Sequence, residues 1–450
     1  MQLPASFLSS IENANGFAKD AFEKVHSSGE QITSIRINPF KQETGVINFP
    51  NNHRKRIPWT QCGYYLESRP SFTFDPLFHA GCYYVQEASS MFLEQALKQK
   101  VDLSKHLKVL DLCAAPGGKS THIQTLLSEN SLLVSNEVIR SRANILKDNI
   151  IKWGCENVVV TNNDPRDFAK LKNYFDVIVV DAPCSGSGLF RRDPEAIEEW
   201  SENNVQLCSQ RQQRIIADVW PALKRDGILV YSTCSYSKEE DEDIVKWLLS
   251  EFQVVNRTLQ VDPSWGIVES EGGYRFWPDK LRGEGFFLAC FQKKEGETET
   301  TVRTRKKPEL LSKKEIEVVE KWVKLQGKNF IRYQNTVYAW PEVNFSDFCF
   351  LLEQLRIVYS GVLVGELMRE KLVPGHSLAM SNIFADSVSR VPLSGEDAIK
   401  YLQRKDIQLN TPGKGWSLAE YDGHPLGWLN ILPNRANNYY PKELRILKDI

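Results

Sequence analysis

Short apolar runs alternate with amphipathic stretches through the middle of the chain. The apolar runs predict buried strands at residues 109–111, 132–136, 158–161, 175–180, 228–232 and 286–292. Between them, apolar positions at helical spacing predict helices at residues 119–127, 139–153 and 206–223. Strands that alternate with helices predict a parallel, doubly wound α/β sheet, whose edge the last run would close.

The pattern changes after residue 293. Residues 294–304 are polar and predict an exposed linker. Beyond them, short β-like segments separated by turn residues predict a small mixed α/β or β-barrel module, at residues 337–340, 361–365, 416–421 and 427–431. We therefore predict an N-terminal domain over residues 1–78, an α/β core over 79–293, a linker and small basic α/β region over 294–360, and a last domain over 361–450.

Composition narrows the class of protein only a little. The chain has 450 residues, more than one core usually holds, and 42% of them are hydrophobic. Its formal net charge is −1, so a nucleic-acid site would have to be a local patch. The sequence has neither a secretory leader pattern nor an apolar run of the roughly 18 residues that a membrane span needs. We expect a cytoplasmic protein with no membrane partner.

Nine cysteines are spread along the chain without a Cys-x-x-Cys pair. That spacing argues against a zinc ribbon or a redox dithiol, and we predict no metal. Six of these thiols fit small buried apolar positions: Cys62, Cys82, Cys155, Cys208, Cys290 and Cys349. Cys184, in Asp-Ala-Pro-Cys, and Cys234, in Ser-Thr-Cys, differ from them because each follows a predicted strand. Ligands of open α/β sheets bind at the carboxyl ends of strands, so two thiols there suggest covalent chemistry.

The turn after the first core strand, residues 111–119, lacks both the dinucleotide glycine spacing and the P-loop pattern. Its glycines allow a ligand close to the backbone, and its helix N-terminus favours a carboxylate. Glu137 ends the second strand, where an acid can bind ribose, and Asp164 after the third could bind an adenine edge. Each feature alone is usually structural, but the three together predict S-adenosylmethionine rather than NAD. The candidate cofactor residues are Cys113, Ala114, Ala115, Pro116, Gly117, Gly118, Lys119, Glu137, Asp164 and Asp181.

Three segments, residues 111–120, 181–188 and 232–235, resemble signature motifs of the RNA cytosine-C5 methyltransferases of the Sun/RsmF type. The resemblance is strong over residues 79–293 and includes residues 191–195, 210–212, 275–278 and 283–287. It implies a Rossmann-like class I methyltransferase core dependent on S-adenosylmethionine, with an N-terminal RNA-binding domain. Residues 361–366 and 422–428 resemble the RsmF branch, which implies a small C-terminal PUA-like RNA-binding domain.

This chemistry explains a need for two thiols. Carbon 5 of cytosine is a poor nucleophile, and thiolate addition at carbon 6 activates it by covalent catalysis. The residues alone do not rank the two thiols; the resemblance assigns the attack to Cys234, assistance of release to Cys184, and contact with the target ring to Asp181. Both thiols would need partial exposure and a lowered pKa. Lys119 could supply positive charge there, or could be a surface residue at a helix start.

The flanking regions are candidates for RNA contact. Basic residues 53–56 precede Trp59, Tyr64 and Tyr65, a combination that suits phosphate contact and base stacking. A solvated basic loop is the alternative. Residues 301–328 hold nine Lys or Arg against four Glu, a net of +5, which suits either a solvated helix face or an RNA surface.

The resemblance favours ribosomal RNA as the substrate, free or in a partly assembled subunit, with transfer RNA second. Two other classes compete: an rRNA-binding assembly factor without catalysis, and a methyltransferase that acts on a small molecule or a protein. The intact pair Cys184 and Cys234, with Asp181, argues against both. We expect a monomer, and we interpret His376 and His424 as structural because neither has a ligand-spaced partner.

Overall fold

A computed structural model describes residues 3–41, 54–298, 304–305, 307–407 and 414–449. The N-terminal part is a small antiparallel sheet of order β2-β3-β1-β4, with short helices beside it. Its elements are α1 (Ala5–Ser10), α2 (Lys19–Ser27), β1 (Thr33–Ile37), β2 (Arg54–Arg56), β3 (Gly63–Leu66), α3 (Pro76–His79) and β4 (Tyr83–Val85). Strand β4 carries this sheet past residue 78, where the sequence suggested its end.

The central part is the predicted α/β core. Its helices are α4 (Leu93–Lys100), α5 (Gly118–Leu126), α6 (Arg140–Trp153), α7 (Glu195–Glu199), α8 (Glu202–Val219) and α9 (Glu242–Glu251). Its strands are β5 (Lys108–Asp111), β6 (Leu132–Asn136), β7 (Val158–Thr161), β8 (Phe175–Asp181), β9 (Leu223–Thr233), β10 (Val254–Asn256), β11 (Val268–Ser270), β12 (Gly273–Phe276) and β13 (Phe286–Lys293).

Five of these strands, in the order β9-β8-β5-β6-β7, form the parallel centre of the sheet. The predicted Rossmann-like class is therefore confirmed. The strand order reverses between β5 and β8, and a ligand crevice forms at such a switch point. The loops after β5, β8 and β9 consequently open at the same edge of the sheet.

Alternate residues of each central strand pack against opposite layers of helices. On β8, Val177 and Val179 join the cluster that includes α5 and α6, while Ile178 and Val180 face the cluster with α8 and α9. All four side chains are buried. A parallel sheet covered on both faces requires such continuous apolar strands.

Two predictions about the sheet are wrong. Strand β13 does not close the edge, because β12 pairs with it antiparallel and β11 lies beyond β12. The sheet is also mixed rather than wholly parallel: antiparallel strands flank its parallel centre on both sides. The added strands are three or four residues long, too short to give a clear sequence pattern.

The C-terminal part contains two further sheets. Its helices are α10 (Lys313–Val319), α11 (Phe345–Gln354), α12 (His376–Met380) and α13 (Gly395–Leu402). Its strands are β14 (Glu309–Leu310), β15 (Lys328–Tyr333), β16 (Thr336–Pro341), β17 (Ile357–Ser360), β18 (Val362–Met368), β19 (Lys371–Pro374), β20 (Ser389–Pro392), β21 (Gly415–Tyr421), β22 (His424–Leu432) and β23 (Arg435–Asn438). Each of the four predicted β segments falls on one of these strands. Strand β17 instead joins the core sheet, antiparallel to β7.

Both flanking parts are packed against the rest of the chain. Ile35 and Leu66 of the N-terminal sheet share a buried cluster with Leu429 and Ile431 of the C-terminal part. At the other side, helices α1 and α2 contribute Phe7 and Phe22 to an aromatic cluster with Tyr236 and Trp277, whose rings stack at 4.9 Å. The second cluster packs against the segment that follows Cys234, since Tyr236 belongs to both.

Candidate active site

The two singled-out thiols lie together at the end of two neighbouring strands. Strands β8 and β9 are paired so that Asp181 lies beside Ser232. The loops that follow bring the Sγ atoms of Cys184 and Cys234 to 2.9 Å from each other, and both residues are half-buried. At this distance one thiol can donate its S–H to the other sulfur.

The environment of Cys184 opposes its ionisation. The hydrogen bond with Cys234 and burial together raise its pKa well above the usual value, and the charges of Cys234 and Glu240 act in the same direction. The sequence-based expectation that both thiols have a lowered pKa is therefore wrong for Cys184. Near neutral pH this sulfur carries its proton.

Asp181 lies between a cation and a hydroxyl. Its Oδ2 is 2.8 Å from Lys119 Nζ, and its Oδ1 accepts a hydrogen bond from Ser232 Oγ at 2.7 Å. Burial alone would lower the pKa of Lys119, but the charges of Asp181, Asp111 and Cys234 raise it overall. Only 13% of the Lys119 side chain is exposed, so it is not the surface residue that the sequence allowed as an alternative.

The loop after β5 forms one wall of a cavity of about 300 Å³ that Cys234 also lines. Gly117 has φ +117°, a left-handed conformation that lets the chain turn directly into α5. Two side chains of α6 support the loop from behind: Arg142 donates to the carbonyl of Ala115 at 2.9 Å, and Asn149 to that of Pro116 at 2.8 Å. The predicted site residues that line the cavity are Cys113, Ala114, Ala115, Pro116, Gly118, Lys119, Asp181 and Cys234.

Glu137 and Asp164 lie outside that lining, as do Cys184 and Gly117. The buried Glu137 carboxylate accepts from the backbone N–H of Ile139 at 2.9 Å and lies 3.5 Å from Arg142. Asp164 accepts from the N–H of Arg166 at 3.2 Å and caps the short helix that follows. Glu137 is nonetheless close enough to the Cys113 thiol to contribute to its raised pKa, whose main cause is burial.

Asp111, at the end of β5, carries an unusual carboxyl group. Its Oδ2 accepts a hydrogen bond from Ser120 at 2.7 Å, while its Oδ1 is buried and has no partner among the described residues. Burial raises its pKa to about 7. An unpaired buried acceptor of this kind calls for a donor that the protein itself does not supply.

Several residues in or near the cavity have no signal of their own in the sequence. Arg192, Glu284 and Phe286 line it, and Glu284 forms a buried ion pair at 3.0 Å with Arg191. These residues belong to motifs that carried the family resemblance, but no local pattern gives them a role. Glu240 was missed because it lies in the charged run of residues 238–243, which is typical of a solvated surface.

The basic and aromatic residues of the N-terminal part are only partly as predicted. Lys55 and Arg56 are exposed and line a cleft of about 550 Å³ that adjoins Lys280 and Arg282. Trp59 is buried and donates to the Ala88 carbonyl at 2.8 Å, and Tyr65 is also buried. Neither ring can be an open stacking platform, which corrects that prediction. His53 lies outside the described residues; Tyr64 lies beneath the guanidinium groups of Arg54 and Arg56.

The other residues singled out in the sequence, the basic run 301–328 and His376, have contacts typical of a structural role. Lys324 pairs with Asp386 at 2.8 Å and Lys328 with Glu156 at 2.9 Å, so part of the basic run 301–328 serves ion pairs. Burial lowers the pKa of His376 to about 3. Within the described ranges, no three His, Cys, Asp or Glu side chains group as metal ligands. Among the helices of those ranges, none has the length and apolar character to cross a bilayer.

Family models match three parts of the chain. Residues 98–292 match the model described as 16S rRNA methyltransferase RsmB/F. Residues 3–88 match the N-terminal domain of 16S rRNA methyltransferase RsmF, and residues 388–446 match the methyltransferase RsmF PUA domain. The order of these matches follows the order of the three parts of the structure.

Relatives match over nearly the whole length. The ribosomal RNA small subunit methyltransferase F of Psychromonas ingrahamii is 33% identical over 86% of this chain and 85% of its own. The protein of the same name from Vibrio atlanticus is 31% identical over 98% and 97%.

Solved structures show the same core. A methyltransferase homolog protein from Pyrococcus horikoshii aligns with a TM-score of 0.52 at 26% identity, covering 65% of this chain and 100% of that one. NSun6 from Pyrococcus horikoshii with SFG aligns with a TM-score of 0.54 at 21% identity, covering 65% and 99%, a likeness of fold alone. From these matches and its motifs, the chain belongs to the RsmF family of ribosomal RNA small subunit methyltransferases.

Proposed function

We propose that this protein transfers a methyl group from S-adenosylmethionine to carbon 5 of a cytosine in ribosomal RNA, through a covalent bond between Cys234 and carbon 6. One observation carries the proposal: Cys234 lines a cavity whose other wall is the loop after β5, and the Cys184 sulfur lies 2.9 Å from the Cys234 sulfur. Such a pair suits a covalent step in which a thiolate is the nucleophile.

S-adenosylmethionine is the cofactor of this methyltransferase family, and the residues present fit it. The Oδ1 atom of Asp111 is a buried acceptor in need of a donor, which suits an ammonium or hydroxyl group. In the loop after β5, Ala114, Ala115 and Gly118 line the cavity with small side chains, which leaves room for a ligand close to the backbone. We propose that Glu137 holds the ribose and Asp164 the adenine edge. When bound, the cofactor supplies an electrophilic methyl group.

The two thiols have different roles in this proposal. The raised pKa of Cys184 leaves that sulfur protonated, so it can donate its S–H to a Cys234 thiolate. A thiolate is the nucleophile in such reactions, so Cys234 attacks carbon 6. Once the Cys234 sulfur is bonded to carbon, it no longer accepts the hydrogen bond or bears the charge that raises the Cys184 pKa. Cys184 then loses its proton more readily.

The proton balance closes with Cys184 as the base of the release step. Cys184 gives its proton to water, and its thiolate takes the proton from carbon 5 of the methylated adduct. The bond between Cys234 and carbon 6 then breaks, and the electron pair returns to the Cys234 sulfur. The net products are the methylated cytosine, the demethylated cofactor and one proton. Cys184 again carries its proton, and the Cys234 sulfur is again free of the ring.

Asp181 contacts the target ring in this proposal. Lys119 and the Ser232 hydroxyl hold its two oxygens from different sides, which fixes the plane of the carboxylate. Asp181 and Cys234 line the same cavity, so the carboxylate can accept from the amino group of the cytosine that the thiolate attacks. Lys119 acts through Asp181, because its ammonium group pairs with the carboxylate and holds it in place.

Exposed cations near the cavity suit an RNA strand. Arg192 lines the same cavity as Cys234 and also an adjoining pocket that contains Arg69. The cleft with Lys55 and Arg282 lies next along the surface, since residues 282–284 run from the cleft into the cavity. A row of cations that borders a reactive cavity supports binding of a phosphate backbone on either side of the target base.

Ribosomal RNA of the small subunit is the proposed substrate, since the relatives of this chain bear that name. Transfer RNA is the second candidate. A non-catalytic assembly factor would not need the thiol pair or the Lys119–Asp181 pair at the same cavity.

The experiment is to incubate the protein with methyl-labelled S-adenosylmethionine and RNA from cells that lack it, and then to digest the RNA to nucleosides. Label in 5-methylcytosine supports the proposal. Label in another nucleoside contradicts the carbon 5 chemistry, and tight RNA binding without label supports the assembly factor. Bisulfite sequencing of RNA from cells with and without the protein then identifies the RNA and the position.

A further inference from the structure

A single buried carboxylate joins the two loops that carry the thiols. Glu240 lies in a short helical turn after β9, and its side chain is fully buried. Its Oε2 accepts hydrogen bonds from Ser185 Oγ at 2.5 Å and from Ser235 Oγ at 2.7 Å. Its Oε1 accepts from the backbone N–H of Ser185 at 2.9 Å. Ser185 directly follows Cys184, and Ser235 directly follows Cys234.

A fourth hydrogen bond connects Glu240 to the rest of the first thiol loop. Gln212 of α8 donates to Glu240 Oε1 and to the carbonyl of Pro183, both at 3.1 Å. Pro183 directly precedes Cys184. Residues on both sides of Cys184 are therefore attached to the same carboxylate, directly or through Gln212.

The next two acidic residues have a different environment. Asp241 and Glu242 are also buried, but both pair with the guanidinium group of Arg275. All four donors to Glu240 are neutral groups: two hydroxyls, an amide side chain and a backbone N–H. Burying a carboxylate without a cation costs free energy, so the four hydrogen bonds have to offset that cost.

We infer that Glu240 is a positioning residue of the thiol pair: it holds the Cys184 and Cys234 loops at the separation that the proposed reaction needs. It touches neither the sulfurs nor the cavity, so it acts through Ser185 and Ser235. The negative charge of Glu240 also helps to keep the proton on Cys184. The consequence for catalysis rests on the proposed function, whereas the consequence for the distance between the sulfurs does not.

The test begins with thiol proximity, which does not depend on methylation. The full-length protein is equilibrated with reduced and oxidised glutathione, which oxidises neighbouring thiols to a disulfide and is itself reduced. Peptide mass spectrometry then gives the fraction of chains with a Cys184–Cys234 link, and from it the effective concentration of one thiol at the other. In Glu240→Gln we expect this value to fall about tenfold, because the amide donates where the carboxylate accepts.

Glu242→Gln is the matched control, a buried neighbour that contacts Arg275 instead of the thiol loops. We expect it to lower stability in urea but to leave the effective concentration within about twofold of the wild type, since it removes no contact to Ser185 or Ser235. Ser235→Ala removes one hydrogen bond of Glu240 and serves if Glu240→Gln does not fold. It should lower the effective concentration in the same direction.

The second measurement is methyl transfer with the same variants. A shift of the thiols by about 1 Å should lower kcat by about 100-fold in Glu240→Gln, with the KM for RNA and the cofactor Kd unchanged. A wild-type effective concentration in both Glu240→Gln and Ser235→Ala would overturn the inference. So would an equal fall in Glu242→Gln. If the wild type itself transfers no methyl group, the proposed function fails while the comparison of thiol proximity still decides the inference.

Discussion

The ion pair between Arg191 and Glu284 provides a quantitative test of how the active-site loops are held. Arg191 Nε and one terminal nitrogen each lie 3.0 Å from a different oxygen of Glu284, so the pair is bidentate. Only 5% of the Arg191 side chain and 7% of the Glu284 side chain are exposed. The pair joins the loop after Cys184 to the segment that leads into β13.

In Arg191→Met the aliphatic length is retained and the cation is lost. Glu284 would then be a buried carboxylate without a counter-ion, beside Glu87, which accepts the backbone N–H of Glu284 at 2.9 Å. Breaking a buried pair on one side costs about 3–5 kcal/mol. We expect that loss in the free energy of unfolding, measured by urea denaturation of the full chain. In the double variant with Glu284→Gln the loss should be smaller than the sum of the two single losses.

The neighbouring Arg192 is the control, because its side chain is exposed and lines the cavity. Arg192→Met should change stability by less than about 0.5 kcal/mol. It should instead weaken RNA binding and lower the slope of log K against log salt concentration by about one. A loss below about 1 kcal/mol in Arg191→Met, or a larger loss in Arg192→Met, would contradict this description of the loops.

Three other variants test separate parts of the site. Asp111 has a pKa of about 7 in the folded state. Between about pH 4 and 7 the folded state keeps a proton that the unfolded state has lost, so stability falls as the pH rises through this range. In thermal unfolding at pH 8, Asp111→Asn should therefore be more stable than the wild type by a few kcal/mol, roughly the size of that pKa shift. It should also bind S-adenosylmethionine more weakly. Lower stability of the variant at pH 8 would refute the raised pKa. In Gly188→Ala the new Cβ would lie 2.5 Å from the Gly285 carbonyl oxygen and 2.8 Å from that of Cys234, so methyl transfer should be lost while calorimetry shows unchanged cofactor affinity; normal activity would contradict the packing. In the double variant Lys55→Ala with Arg56→Ala, the slope of log K for RNA binding against log salt concentration should fall by about two, with the cofactor Kd unchanged. An unchanged slope would exclude this cleft from the RNA path.

The parallel centre of the core could be predicted from the sequence because its strands are buried on both faces. Residues 158–161 were predicted as a strand, and β7 has those bounds. The loop after β5 and the two thiols follow such strands, so their common edge of the sheet could be predicted as well. Local apolar pattern was sufficient for this part of the molecule.

Where contacts between distant segments decide the structure, local pattern was not sufficient. Strand β17 joins the core sheet from more than 190 residues beyond its partner β7, and its four residues give no sign of that pairing. Trp59 follows basic residues and suggested an RNA contact, yet its ring packs against Trp265 and Phe276 in the core. Glu240 lies in a run of charges typical of a surface, but the hydroxyls of Ser185, in the loop after β8, and of Ser235, in its own loop, allow its burial.

The division of labour between the two thiols is the central claim, and trapping of the covalent adduct tests it most directly. Cys184→Ala and Cys234→Ala are each incubated with S-adenosylmethionine and labelled substrate RNA and then separated on denaturing gels. We expect Cys184→Ala to accumulate a protein–RNA adduct, because addition proceeds and release does not, and Cys234→Ala to form none and to transfer no methyl group. An adduct in Cys234→Ala and none in Cys184→Ala would reverse the assignment, and no adduct in either variant would contradict the covalent mechanism.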